Sequence, residues 1–451
     1  MGEYTAMRSI EVESIVNYET IDAQDELSNK RGSLKAWAIL GCAWAFYLYE
    51  YILRVSPSVM INDLMLDYGV TSTALGVLVS FYYFSYVALQ VPCGVIVDRF
   101  GPRKVITISA VLCVIGSIYF AQSDTLLTAQ IGRFLMGAGS ACAYLSCAKI
   151  GAEWFDASKF AGIAGMTMMM GTLGGTFGGR PCAMLVNCIG WRSSMLVGAF
   201  VGSCIAVAAW LIIRDHPQKI KTNKNEADLV SPSLLEGLKI VAANPQNWLI
   251  GLYGCMMYLP LSAFAELWGV PFLMQLYGIN NESASTVSIM VFLGMALGTL
   301  IGPWLSNRCK SRVKIMSRSA LGTFLTFLIV FYVPNIPLIL MASLLFLGGM
   351  ISGGQILYFA AAKEINPDHI SGTTIGFINC LVMVSGVVFQ PLLGMLLDLA
   401  WDGKVSVEGA PIYDLATYKI SFSAVSVALL LSWVIVQYVH ETYNRCESDA
   451  R

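Results

Sequence analysis

The chain has 451 residues, 56% of them hydrophobic and only 13% charged, against about 25% charged in a typical soluble domain. A soluble fold of this size needs far more surface charge, so most of the solvent is lipid. The formal net charge of −1 supplies no basic excess for a nucleic acid. The first 33 residues are polar and of mixed charge, carry no cleavable apolar leader, and read as a cytoplasmic tail.

A helix needs roughly 20 mainly apolar residues to cross a bilayer. Twelve such runs are predicted, at 36–60, 75–97, 104–122, 126–150, 159–186, 192–213, 247–275, 284–306, 314–333, 336–360, 371–398 and 416–439. The first ends in Tyr47-Leu-Tyr-Glu50-Tyr-Ile-Leu-Arg54, an acid and a base four residues apart on one helical face. The second leads into the loop Gly94-Val-Ile-Val-Asp98-Arg99-Phe-Gly101-Pro-Arg103-Lys104, and the fourth carries Arg133 on its outer half. The fifth is glycine-rich and ends at Arg180. A polar stretch at 214–246 then separates six runs from six, with a second short tail at 441–451. Glu266 lies in the seventh run and Gln355 and Tyr358 in the tenth. The eleventh is again rich in glycine, which in lipid permits close helix approach.

Loop charge orients the runs. Arg99, Arg103, Lys104, Lys159, Arg214, Arg308, Lys310 and Lys363 fall on one side, and Asp63, Asp67, Asp124, Glu282, Asp398, Asp402 and Asp414 on the other. The basic side is expected to be cytoplasmic, with both termini there. The two halves also echo each other at an offset of about 208–210 residues: Tyr68-Gly69 with Tyr277-Gly278, Gly94 with Gly302, Gly162 with Gly372, Pro181 with Pro391. A duplicated six-helix unit follows, with residues 34–213 as one half and 247–440 as the other, and such repeats place a solute site between the halves.

Twelve cysteines show no CxxC pair and read as packing residues in apolar helices. The three histidines fall outside the apolar runs, and no metal cluster, cofactor motif or phosphate-binding glycine loop is present, which argues against an enzyme and against direct use of ATP.

The loop from Gly94 to Lys104 resembles the signature loop of the major facilitator superfamily, Gly-x-x-x-Asp-Arg-x-Gly-Arg-Arg/Lys, with Pro102 placed before the basic pair. A degenerate copy, Gly302-Pro-Trp-Leu-Ser306-Asn307-Arg308, lies in the second half with serine in place of the aspartate. Arg133 with Gly137 and Gly139 looks like the superfamily's second motif. The resemblance implies an all-α membrane fold of twelve helices in two pseudo-symmetric halves that rock about a central site. It casts Gly94, Asp98, Arg99, Gly101 and Arg103 as a conformational switch, and it puts Glu50, Arg54, Arg133 and Glu266 on cavity-lining helices with Arg180 beside them.

Buried charges usually face a cavity or each other. Arginine suits carboxylate or phosphate, and an acid suits an amino group or a proton. The predicted substrate residues are Glu50, Arg54, Arg133, Arg180, Glu266, Tyr47, Gln355 and Tyr358. Tyr82, Tyr83, Tyr86, Tyr144, Tyr258, Gln90 and Asn379 are further hydrogen-bonding candidates. Without a histidine in a span, proton coupling falls to Glu50 or Glu266, whose charged forms burial disfavours. Each charge also has a structural reading: Glu50–Arg54 as a self-neutralised pair, Arg133 as a brace, Arg54 as a snorkelling cation. The expected function is transport of a small polar solute, either a zwitterion such as an amino acid or dipeptide or an organic anion moving with a proton. The sequence also resembles sugar-phosphate permeases and, distantly, lysosomal dipeptide transporters. Organic-phosphate antiport, drug export and a non-transporting membrane sensor are the alternatives. A monomer in a bacterial inner membrane is the expected setting.

Overall fold

The computed structural model describes residues 33–215, 234–367, 370–406 and 409–443. The N-terminal tail, most of the 214–246 stretch, His216, His369 and the end of the 441–451 tail lie outside the described residues.

Every named element is helical. Helix α1 (Leu34–Val55) starts at Ser33, whose hydroxyl accepts from the Ala36 N–H, and runs into a 3₁₀ turn at Ser56–Val59. A short α2 (Ile61–Tyr68) leads to α3 (Ser72–Phe100) and α4 (Pro102–Ala121). The expected fourth run breaks at Ala141–Cys142 into α5 (Leu126–Ser140) and α6 (Ala143–Trp154). The fifth becomes α7 (Ala157–Gly178) and α8 (Arg180–Ile189), followed by α9 (Trp191–Ile212). The stretch expected to be a plain linker contains α10 (Leu234–Ala243).

In the second bundle α11 (Pro245–Met257) passes through a π-helical stretch, Pro260–Trp268, into α12 (Gly269–Tyr277). Then come α13 (Asn281–Ser288), α14 (Met290–Cys309) and α15 (Arg312–Tyr332). Helix α16 (Leu338–Ser352) continues through a 3₁₀ turn into α17 (Leu357–Glu364), and α18 (Ser371–Leu399) and α19 (Leu415–Val436) complete the fold. Ten helical runs among the described residues are long and apolar enough to cross a membrane. The expected fourth and fifth spans are not among them: a break interrupts one, and glycine and threonine dilute the other.

Two of the positions paired by the 208–210 offset share a backbone geometry. Gly69 (φ 59°) and Gly278 (φ 60°) both end a short helix in the left-handed region, which glycine adopts without strain. The two loops that carry Gly101 (φ 78°) and Lys310 (φ 48°) turn at corresponding positions, although only the first uses glycine.

The bundles meet tightly on the acidic face. A Cβ on Gly76 would lie 2.5 Å from the Gln390 carbonyl oxygen, and one on Gly394 would lie 2.2 Å from that of Ser72. Asn281 donates to the Val59 carbonyl (2.8 Å) and Asn187 to Glu282 (2.9 Å). On the basic face, Cβ atoms on Gly94, Gly162, Gly372 and Gly376 would meet nothing within 4 Å. Clefts of about 270 Å³ beside Asp98 and about 470 Å³ beside Asn307 open there. Helices α3 and α18 therefore touch on the acidic face, beside a cleft of about 240 Å³ between Ser72 and Trp268, and stand apart on the basic one.

Candidate functional site

The last two turns of α1 put Glu50 and Arg54 on one face, and the carboxylate accepts both contacts from Nη2 at 3.0 and 3.2 Å. Tyr82 of α3 donates to Glu50 at 2.6 Å, and Nε of Arg54 donates to the Tyr82 hydroxyl at 3.4 Å. The guanidinium stacks 4.2 Å from the Tyr51 ring centre and 5.1 Å from that of Tyr86. Such contacts hold a cation where water is scarce.

From the other bundle, Tyr258 accepts from Arg54 Nη1 (3.5 Å) and donates to Glu266 (3.4 Å). Glu266 sits in the π-helical stretch, whose wider turn re-aims side chains and is frequent at functional positions. Its second oxygen accepts a hydrogen bond from Tyr83 of the first bundle. One polar chain therefore runs Glu50–Arg54–Tyr258–Glu266–Tyr83 and crosses between the bundles twice. Glu50 and Glu266 are 0% exposed and Arg54 2%.

Above this chain's basic-face side lies a small cavity of about 60 Å³. Tyr47, Tyr51, Tyr86, Tyr144, Tyr258 and Tyr358 surround it, with Gln90, Thr172, Thr299 and Asn379 adding polar groups. Arg54 is the sole charged residue among its lining. Both glutamates stand behind the tyrosines.

Three expected members stand elsewhere. Arg180, the first residue of α8, is exposed and does not join the cluster. The reason is Gly179, where the chain breaks direction, so the residue after it leaves the fifth span instead of continuing along its inner face. Gln355 is buried on the 3₁₀ turn with Nε2 3.8 Å from the Met295 sulfur, outside the cavity lining. Arg133 is buried behind the site: Nη1 donates to the Leu53 carbonyl (2.8 Å), and the guanidinium lies 4.9 Å from the Tyr82 ring centre. Its Nε and Nη2 find no acceptor on the protein. It braces the C-terminal end of α1 and does not face the cavity.

The signature loop is tied within its own bundle. Asp98 pairs with Lys149 of α6 at 2.8 Å and keeps a side chain 78% exposed across the cleft from Gly372 and Thr373. Arg103 stacks 4.2 Å from the Trp210 ring and donates to that residue's carbonyl, while its N–H donates to Asp215 at 2.8 Å. Gly101 turns the chain at φ 78° and ψ 155°, a conformation essentially restricted to glycine, and lies against the Asp215 carboxylate. Arg99 lies 5.6 Å from the Phe100 ring. Lys149 is a partner that sequence reading missed; the only signal was a lysine at the end of an apolar run.

The cysteine reading needs one correction. Cys93 of α3 and Cys142, at the break between α5 and α6, form a disulfide with Cα atoms 5.3 Å apart, because that break turns Cys142 toward α3. The remaining cysteines among the described residues are free.

Comparison with known proteins places this geometry. The chain is 23% identical over 430 residues to the membrane sensor protein UhpC of Salmonella typhimurium, covering 90% of this chain and 93% of that one. It is 21% identical over 367 residues to the hexuronate transporter of Bacillus subtilis, covering 77% and 85%. Its fold matches a crystal structure of a bacterial homologue of the human lysosomal transporter Spinster, in an inward-facing and unoccupied conformation. That match has a TM-score of 0.72 at 16% identity and covers 93% of this chain and 99% of the other. The family model for the Major Facilitator Superfamily matches residues 39–389 and 262–443, and the chain belongs to that superfamily.

Proposed function

We propose that this transporter moves a small organic anion together with a proton by alternating access around the cavity lined by Arg54. The carrying observation is that Arg54 is the one charged group presented to that cavity while its acidic partner, Glu50, sits behind it. An anion cannot take the guanidinium from an ionised carboxylate without leaving a buried negative charge unpaired, a costly outcome. Once Glu50 is protonated, Arg54 becomes free to hold a carboxylate, sulfonate or phosphate. The solute and the proton then enter as a neutral pair. The tyrosines and amides around the cavity suit a hydroxylated body, and likeness to a hexuronate transporter supports a sugar acid as the first candidate. A zwitterion is less favoured, since neither glutamate faces the cavity.

In this reading α5 with α6, and α7 with α8, supply two further crossings, making twelve in two halves, 34–213 and 247–440. The basic face is cytoplasmic, both termini lie on that side, and a monomer in a bacterial inner membrane is the functional unit. Asp98 and its loop then act as the switch of the cytoplasmic face. Uptake of hexuronates, sulfonates, dipeptides and sugar phosphates into proteoliposomes under an inward-acid gradient tests the assignment. Gradient-driven uptake of an acid, lost in Arg54→Lys, supports it; accumulation of dipeptides alone overturns it. A second reading, a sensor that kept the fold, is favoured by the likeness to UhpC and predicts binding of an organic anion without uptake.

A further inference from the structure

On the acidic face a single carboxylate gathers donors from both bundles. Asp398, next to the end of α18, accepts from the Thr71 hydroxyl (2.6 Å), the Ser72 N–H (3.1 Å), the Thr73 N–H (2.8 Å) and the Thr73 hydroxyl (2.5 Å). From its own bundle, Tyr413 donates to it at 2.5 Å, and the Ser72 N–H also donates to the Tyr413 hydroxyl. The first N–H groups of a helix have no partner within that helix and attract negative charge. Thr71 makes no side-chain cap of its own for α3. The cap of α3 is thus supplied by the opposite bundle.

The same two helices behave differently at their other ends. Near Asp398, Gly76 and Gly394 bring the backbones into contact. Near Asp98, Gly94, Gly372 and Gly376 face open space. Each helix ends in an aspartate close to where the other begins, and only one of the two carboxylates spans the bundles in this state.

We propose that Asp398 is the latch that keeps the acidic face shut: α3 can part from α18 only by surrendering its borrowed cap. Asp398 is a positioning residue, remote from the cavity, and this inference rests on the alternating-access reading above but not on the identity of the solute. The full chain in nanodiscs, without solute, tests it by hydrogen–deuterium exchange. Asp398→Asn speeds exchange over 71–80 by about tenfold, the loss of one charge-assisted hydrogen bond. It also slows exchange over 90–100 and 371–380, because the basic face closes. Asp398→Glu restores part of both effects. The double variant Thr71→Ala/Thr73→Ala keeps the aspartate, shifts both ends in the same directions by less, and serves should Asp398→Asn fail to fold. Faster exchange at 71–80 without the reciprocal slowing reduces Asp398 to a local cap and overturns the latch, as does no change at either end. Wild-type protein that takes up no solute counts against the transport reading and leaves this result standing.

Discussion

At the scale of single residues, the site turns on which partner holds Arg54. Glu50→Gln removes the negative charge and leaves a buried guanidinium, which costs roughly 3 kcal/mol of stability in the absence of solute. A saturating organic anion should recover it. Thermal unfolding with and without anion checks this: the anion should raise the midpoint more in Glu50→Gln than in the wild type, and uptake should no longer follow the pH gradient. Equal ligand shifts would show that Glu50 does not compete for Arg54. Arg133 is the contrasting case, since two of its nitrogens lack an acceptor on the protein. Replacing a buried charge by an apolar side chain of similar volume is often neutral or stabilising, so Arg133→Met should leave the unfolding midpoint unchanged or higher. A fall of several degrees would mean that the Leu53 contact and the Tyr82 stacking outweigh desolvation. Glu50, Arg54 and the tyrosines were legible because i,i+4 spacing and polar residues in apolar runs are local signals. Lys149 and Asp398 were not, since their partners lie 51 and about 327 residues away and nothing near them in the chain announces the contact.

Among the elements, α3 and α18 carry the difference between the two faces. Gly76→Leu would drive a side chain into the Gln390 carbonyl, so the acidic face should no longer close. Gly94→Leu meets open space in this state and should obstruct closure of the basic face instead. Exchange mass spectrometry should therefore move in opposite directions for the two variants, both with uptake reduced by about tenfold or more, since a blocked state removes one half of the cycle. Identical exchange patterns would show that glycine spacing does not set the packing. Helix existence followed directly from apolar run length, but internal breaks did not. The split at Ala141–Cys142 and the π-helical stretch around Glu266, which opens at Pro260, are interruptions that apolar run length does not register. Arg180 was misplaced for the same reason, since its expected position assumed an unbroken fifth span.

For the whole molecule, both bundles tie down a helix start on the basic face with a carboxylate from just beyond their last helix. Asp215 follows α9 and caps the start of α4. Glu441 follows α19 and caps the start of α15, accepting from the Arg312 N–H at 2.8 Å and from the Ser311 hydroxyl. Burial disfavours the Glu441 carboxylate, yet the Ser311 hydroxyl and the N–H groups of Arg312, Tyr443 and Val313 outweigh it and hold the carboxyl below its usual value. A carboxyl lowered in the folded state contributes stability above its unfolded pKa of about 4.3, and that contribution fades as pH falls through the lower folded value. Glu441→Gln should therefore lower the unfolding midpoint near pH 6 and converge with the wild type near pH 3. A constant gap across that range would assign the loss to packing.

The bond between Cys93 and Cys142 has a mechanical corollary. It ties the signature-loop end of α3 to the joint at which the Arg133 helix bends. A swing that carries Asp98 toward its neighbour must carry that joint with it, so motion at the signature loop is passed to the helix that bears Arg133.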